Sequence, residues 1–170
     1  MAPTVHLIYG PSGAGKSTHA HQLATDHHAV RFAIDDWMHG LYGDDRPARL
    51  DMAWVLPRLR RCEALIWQTS RQILDTGRDV VLDLGLMRRA DRARLKNLAA
   101  AAGHAVQPCF VNADRALRWQ RVQRRNAEQG DGYSFEVTQA MFDGAEAFFE
   151  PPTEEELGTS PAGQTETAHG

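Results

Sequence analysis

The chain has 170 residues, 42% hydrophobic and 24% charged, with a formal net charge of −3. That is enough for one domain with a real core and too little for a second full domain. No apolar run approaches the roughly 20 residues a membrane-spanning helix needs, and the slightly acidic balance argues against a long polyanion, nucleic acid included, as the main partner.

The first residues open directly into the apolar run Val5-His6-Leu7-Ile8-Tyr9, which predicts a buried strand and shows no pattern of a signal or transit peptide. Gly10-Pro11-Ser12-Gly13-Ala14-Gly15-Lys16-Ser17-Thr18 follows, and then a helical pattern from His19 to Thr25. Strand, glycine-rich loop and helix together form the context that the G-x-x-x-x-G-K-[ST] motif requires. Such a loop turns successive backbone N–H groups toward an anion, and the helix adds its unpaired N-terminal N–H groups and positive dipole end. Gly10, Ser12, Gly13, Ala14, Gly15, Lys16, Ser17 and Thr18 are therefore the expected nucleotide-binding residues. Lys16 is expected to reach the β- and γ-phosphates of ATP, and the Ser17 hydroxyl to ligate Mg²⁺. His19, His21, His27 and His28 sit close together, but their spacing offers no convergent set with a carboxylate or cysteine, so a solvated helix face is the expectation.

Ala29 to Ile34 reads as a second strand, ending in Asp35-Asp36-Trp37. In open α/β sheets the chemistry collects at the carboxyl ends of strands. A carboxylate there can take the proton of an attacking hydroxyl, whereas an Asp before a helix can equally be its N-cap. Asp35 ends the strand directly and is taken as the catalytic base, with Asp36 on the acceptor side. His39 to Pro47 reads as a polar connection. Arg49 to Thr76 gives a long amphipathic pattern that Pro57 is expected to kink or divide into two helices, with Gly77 closing it.

Asp79 to Gly85 is the third predicted strand, and Val80-Val81-Leu82-Asp83 has the form of a Walker B strand whose acid holds a Mg²⁺-bound water. Beyond it, Arg88, Arg89 and Arg92 are candidate ligands for an anionic acceptor. Asp91 to Ala102 is helical, and Val106 to Val111 is a fourth strand whose Pro108 suits a sheet edge. Asp114 to Asn126 makes another helix, with Arg118, Arg121 and Arg125 sharing one face; a transferring phosphoryl group is the natural anion for such a stripe. Gly130-Asp131-Gly132 breaks it, and Thr138 to Glu150 forms the last helix. Cys62 and Cys109 have no metal-ligand spacing and are expected to be buried, reduced and cytosolic. The expected organisation is one domain over residues 1–157 and a disordered polar tail over 158–170.

These separated motifs resemble a family: the small P-loop kinases that include the kinase half of polynucleotide kinase and a broad bacterial set of AAA_33-type ATP-binding proteins, with zeta toxin and chloramphenicol phosphotransferase as more distant relatives. The resemblance runs from Val5 to about Leu157 and rests on Gly10–Thr18, Asp35-Asp36-Trp37, Val80–Gly85 with Arg88-Arg89-Ala90-Asp91-Arg92, Arg121-Val122-Gln123-Arg124-Arg125-Asn126, and Phe149-Glu150-Pro151-Pro152-Thr153-Glu154. It implies a parallel sheet flanked by helices and a mobile lid whose arginines are matched here by Arg121 and Arg125, with Asp35 matching the acceptor-side base. In the polynucleotide kinase branch an Arg soon after the Asp pair grips the nucleic acid's phosphate. This chain has Met38 at that place, which favours a small hydroxylated acceptor.

The expected fold is therefore an α/β P-loop NTPase three-layer sandwich with a short parallel sheet of four strands, a fifth being left open. The expected function is an ATP- and Mg²⁺-dependent kinase acting on a small-molecule hydroxyl, cytoplasmic, and monomeric or weakly dimeric. A polynucleotide 5′-hydroxyl kinase and a nucleotide-dependent regulatory ATPase are the alternatives.

Overall fold

The computed structural model describes residues 2–49, 51–129 and 136–158. In chain order these form β1 (Thr4–Tyr9), α1 (Lys16–Asp26), β2 (Val30–Ala33), α2 (Ile34–Tyr42), α3 (Met52–Asp75), β3 (Val80–Asp83), α4 (Arg89–Ala101), β4 (Ala105–Phe110), α5 (Arg115–Glu128), α6 (Gln139–Phe148) and α7 (Glu154–Gly158). The Gly130-Asp131-Gly132 break and, from residue 159 on, the expected tail lie outside the described residues.

The sheet has four strands in the order β2-β3-β1-β4, and every pairing is parallel. Parallel strands are covered on both faces, so they read as nearly continuous apolar runs. Val5, Leu7 and Tyr9 of β1 and Val80, Leu82 and Leu84 in and just after β3 join Cys62, Ile66 and Leu74 of α3 and Leu95 and Ala99 of α4 in one core. Ile8, Val81 and Val111 form a second core on the other face with Ala14 and with Ala20 of α1. The result is a three-layer sandwich. β4 is at the edge as its Pro108 requires, because an edge position tolerates the missing N–H donor.

Two elements and one cysteine differ from what the sequence predicts. The polar connection after β2 is helical as far as Tyr42, because α2 starts at once at Ile34 and carries Asp35 and Asp36 in its first turn, where acids favour the helix dipole. Pro57 does not divide its segment: α3 runs unbroken for 24 residues. Pro57 lies near the start of that helix, where Asp51 caps it by accepting the Trp54 N–H at 2.8 Å and packing of Cys62, Ile66, Ser70 and Leu74 holds the remainder. Cys62 is buried, but Cys109 is only half-buried; both are free thiols.

The segment after α6 straps the domain. Phe149 stacks on Phe110 of the edge strand at 6.3 Å. Thr153 and Glu156 form a reciprocal capping box, the Thr153 N–H donating to Glu156 Oε2 at 3.0 Å and the Glu156 N–H to Thr153 Oγ1 at 3.2 Å. The same carboxylate receives both Nε (2.7 Å) and Nη2 (3.2 Å) of Arg92, which is 3% exposed. Arg92 also donates to the carbonyls of Leu86, Met87 and Glu150. Removing one member of such a pair leaves an uncompensated charge. Arg92→Ala should therefore destabilise the domain by about 3 kcal/mol, read as a lower urea midpoint.

Candidate active site

The loop between β1 and α1 is shaped by contacts that exclude side chains. A Cβ on Gly10 would stand 1.9 Å from the Val111 carbonyl oxygen, and one on Gly13, at φ +76°, would stand 2.5 Å from the Arg118 carbonyl oxygen. The backbone therefore closes onto β4's exit and onto α5 only with glycine at these positions. α1 then begins at Lys16 with no side-chain cap and no acid in its first turn. Its N-terminal N–H groups are left for an anion, as a phosphate-binding helix requires.

Lys16 is folded back over the loop, its Nζ donating to the Pro11 carbonyl at 3.0 Å. Burial pushes this amine below the ordinary lysine range, opposed by the carboxylates of Asp83 and Asp35. The Ser17 hydroxyl donates to Asp83 Oδ2 at 3.1 Å. Asp83 ends β3 and is 7% exposed; burial pushes its carboxyl up, against Lys16 and the Ser17 hydrogen bond. Asp35, in the first turn of α2, is also pushed up by burial, against Lys16 and Arg125. The residue as a whole is exposed, and solvent reaches its carboxyl along the open trough. That trough has a volume of about 2320 Å³, and its upper part is lined by the loop, Asp35, Asp83, Arg121 and Arg125.

Arg121 donates to the Ala14 carbonyl at 3.2 Å, which puts its guanidinium on the loop itself. Arg125 lies close enough to bear on both Lys16 and Asp35. Arg118, the third arginine of the predicted stripe, has different work. It is 6% exposed, donates to Ser12 O at 3.3 Å and Ala113 O at 2.9 Å, and grips Glu146 of α6 with both Nη atoms. It ties loop, α5 and α6 together.

The structure separates the acceptor-side candidates. Asp36 is turned away from the trough into an ion pair with Arg31 Nη2 at 2.6 Å. Arg89 is engaged with the strap, its N–H on Glu150 and its Nε on Pro151 O. Arg88 lies over the Phe148 ring at 4.3 Å. Arg92 is buried in the strap, so the expectation that it meets an acceptor is corrected: a guanidinium with five oxygen partners inside the fold has no N–H to spare for a ligand in the trough. A residue the sequence reading passed over is Arg31 of β2, whose Nη1 stands 3.9 Å from Asp83 Oδ2 and which is largely buried. Its signal was a lone charge inside the apolar strand Val30-Arg31-Phe32-Ala33.

Residues 5–152 match the family model AAA_33, described as an AAA domain. The chain belongs to the AAA_33 family. Solved structures with the same fold include Kti12 of Chaetomium thermophilum in complex with ADP-AlF3, at 16% identity and TM-score 0.68, covering 92% of this chain and 86% of that one. A gluconokinase from Sinorhizobium meliloti 1021 aligns at 17% identity and TM-score 0.62, covering 91% and 79% of the two chains. The APS kinase CysC of Mycobacterium tuberculosis, in complex with AMPPNP and APS, aligns at 21% identity and TM-score 0.57, covering 76% and 73%. No curated protein sequence matches the chain. The AAA_33 chain thus has the fold of P-loop kinases, and the strap made by its Phe149–Glu156 segment packs on the sheet that carries the loop.

Glu146 allows a test of the Arg118 tie. The Arg118 hydrogen bonds hold its carboxyl below the ordinary glutamate range. A depressed folded-state pKa contributes stability that is full above the unfolded value and is lost as pH falls through the folded value. Glu146→Gln should therefore flatten the acid limb of a stability–pH curve below the ordinary glutamate range, with a lower melting temperature at neutral pH.

Proposed function

We propose that the chain is an ATP-dependent kinase that transfers the γ-phosphoryl group to a hydroxyl of a small molecule. The carrying observation is a division of labour between two carboxylates around Lys16. Both line the trough; Asp83 accepts the Ser17 hydroxyl, and Asp35 is presented from the first turn of α2.

The donor set fits Mg²⁺: a hydroxyl and a carboxylate already paired beside an uncapped helix start are hard oxygen ligands of the kind this ion takes alongside phosphate oxygens. Ser17 and Asp83 would hold it, directly or through water, and when bound it supplies charge neutralisation at the β- and γ-phosphates. The loop N–H groups and the start of α1 would seat the phosphates. Lys16 would leave the Pro11 carbonyl for the γ-phosphate, exchanging a neutral acceptor for an anionic one. Asp35 would accept the proton of the acceptor hydroxyl as its oxygen bonds to the γ-phosphorus and the bond to the β–γ bridging oxygen breaks, releasing ADP. Arg121 and Arg125 would meet the charge on the transferring group.

A small acceptor is favoured by Met38. It packs against the core beside Cys62, their sulfurs 3.8 Å apart, so this place offers no cation for a nucleic acid's phosphate. Among the described residues no helix is long and apolar enough to cross a membrane.

The reading is tested by incubating the chain with γ-labelled ATP and a panel of sugars, nucleosides, aminoglycosides and a 5′-hydroxyl oligonucleotide. Label on a small molecule supports it. Label on the oligonucleotide alone, or acceptor-independent hydrolysis alone, replaces it with a polynucleotide kinase or a regulatory ATPase. Lys16→Ala should lower ATP affinity and turnover together; unchanged calorimetric binding in a folded variant would sink the nucleotide site.

Asp35→Asn should keep ATP binding and reduce transfer by about 10²–10⁴, the usual worth of a general base. If it abolishes Mg²⁺ dependence instead, Asp35 belongs with Asp83. Replacing both Arg121 and Arg125 with Ala should depress kcat by on the order of 10³ and change the KM for ATP far less.

A further inference from the structure

A second cluster lies at the opposite end of α1 from the phosphate loop. His6 of β1, His27 at the C-cap of α1 and Asp79 just before β3 bring one donor atom each to within 4.8 Å of one another. His6 Nε2 stands 3.1 Å and His27 Nδ1 3.7 Å from the same oxygen, Asp79 Oδ2. The two imidazole rings are tilted by 52° to each other, with centroids 4.6 Å apart. The histidine spacing along the sequence gave no convergent set; the fold makes one by bringing in a strand histidine and a distant carboxylate.

We infer that His6, His27 and Asp79 form a binding site for a first-row divalent transition metal of the Zn²⁺ class. Two imidazoles and one carboxylate, with a fourth place open to water, are a donor set Zn²⁺ takes, and around a tetrahedral ion with bonds of 2.0–2.1 Å the donors stand roughly 3.4 Å apart. The two separations from Asp79 Oδ2, 3.1 and 3.7 Å, bracket that spacing, and all three donor atoms lie within 4.8 Å of one another.

The surroundings are built for it. Asp79 Oδ1 accepts the Thr4 N–H at 2.8 Å, fixing the carboxylate so that Oδ2 points at the rings. His6 is 4% exposed among the apolar side chains of β1, a place where a polar ring needs a partner, and Asp79 supplies one at Nε2. His27 is set by the helix ending: His28 takes φ +50°, Ala29 N–H reaches Ala24 O at 2.9 Å and His28 N–H reaches Thr25 O at 3.3 Å. This is a Schellman ending made on a histidine where glycine is usual. His27 is about half exposed, and all three residues line the lower part of the trough, so an ion can reach them from solvent. The cluster is separate from the Ser17–Asp83 pair, since Asp79 and Asp83 lie four residues apart along β3, about 13 Å.

The experiment is a Zn²⁺ titration of the full chain by calorimetry, with Mg²⁺ and ADP in excess to occupy the phosphate loop, and a parallel Co²⁺ titration followed by visible absorption. One Zn²⁺ per chain is expected, with the intense d–d bands of four- or five-coordinate Co²⁺ and a raised melting temperature. His27→Ala, on the half-exposed ligand and so compatible with folding, should weaken binding by more than the about tenfold that loss of a supporting group costs. Asp79→Asn keeps an oxygen for the Thr4 N–H and should weaken binding similarly, with the melting temperature without metal nearly unchanged. No binding at sub-millimolar Zn²⁺, or undiminished affinity in His27→Ala, would leave the three residues as a hydrogen-bonded tie between helix and sheet and overturn the site. Binding lost in a His19→Ala/His21→Ala variant but kept in His27→Ala would overturn it too, placing the metal on the exposed face of α1.

Discussion

Everything at the upper end of the sheet depends on how closely the β1–α1 loop can approach its neighbours. The backbone of Gly10 lies against the Val111 carbonyl and that of Gly13 against the Arg118 carbonyl, at distances no Cβ could share. This approach turns the chain sharply enough for α1 to start under the loop with its N–H groups unpaired. An uncapped helix start is unfavourable in an isolated protein and favourable where an anion completes it. The glycines, the bare N-terminus and the folded-back Lys16 are thus one arrangement set by the same close approach.

Electrostatics around Lys16 follow from the same packing. The amine sits between Asp83 and Asp35, with Arg125 near, and burial works against each charge while the opposite charges restore it. A balance of this type is sensitive to a polyanion, which would add negative charge beside Lys16 and the arginines and move the carboxylates away from ionisation. Arg31, lodged between Asp36 and Asp83, offsets that pressure. The arginines of α5 divide by depth: Arg118 is spent on Glu146 and the Ser12 carbonyl, which leaves Arg121 and Arg125 further along the helix to face the trough.

The strap shows how a short segment can be tied without a large core. Phe149 contributes area against Phe110, and Arg92 joins α4 to both ends of the strap through Glu150 and Glu156. Its guanidinium also lies 4.9 Å from the Tyr9 ring, the last residue before the loop. The strap therefore bears on the strand that delivers the phosphate loop.

Local signals were enough for the four strands, the loop and the edge position of β4, because each rests on a short-range rule: apolar runs for buried strands, glycines before Lys16, a proline that cannot donate. The parallel arrangement came from the family resemblance. The place of Asp83 at the end of β3 was legible for the same reason, whereas Asp35, expected to end a strand, stands in the first turn of α2. Tertiary structure decided what side chains do once charges compete for partners. Arg92 and Arg118 look like Arg121 in the sequence, yet burial beside Glu156 and Glu146 makes them ties, because a buried guanidinium must find carboxylates or carbonyls within the fold. Of the two outcomes expected at Pro57, division was excluded, since α3 runs past it unbroken. The meeting of His6, His27 and Asp79 was invisible in the spacing, because it is made by strand pairing and a helix ending that bring together residues 73 positions apart.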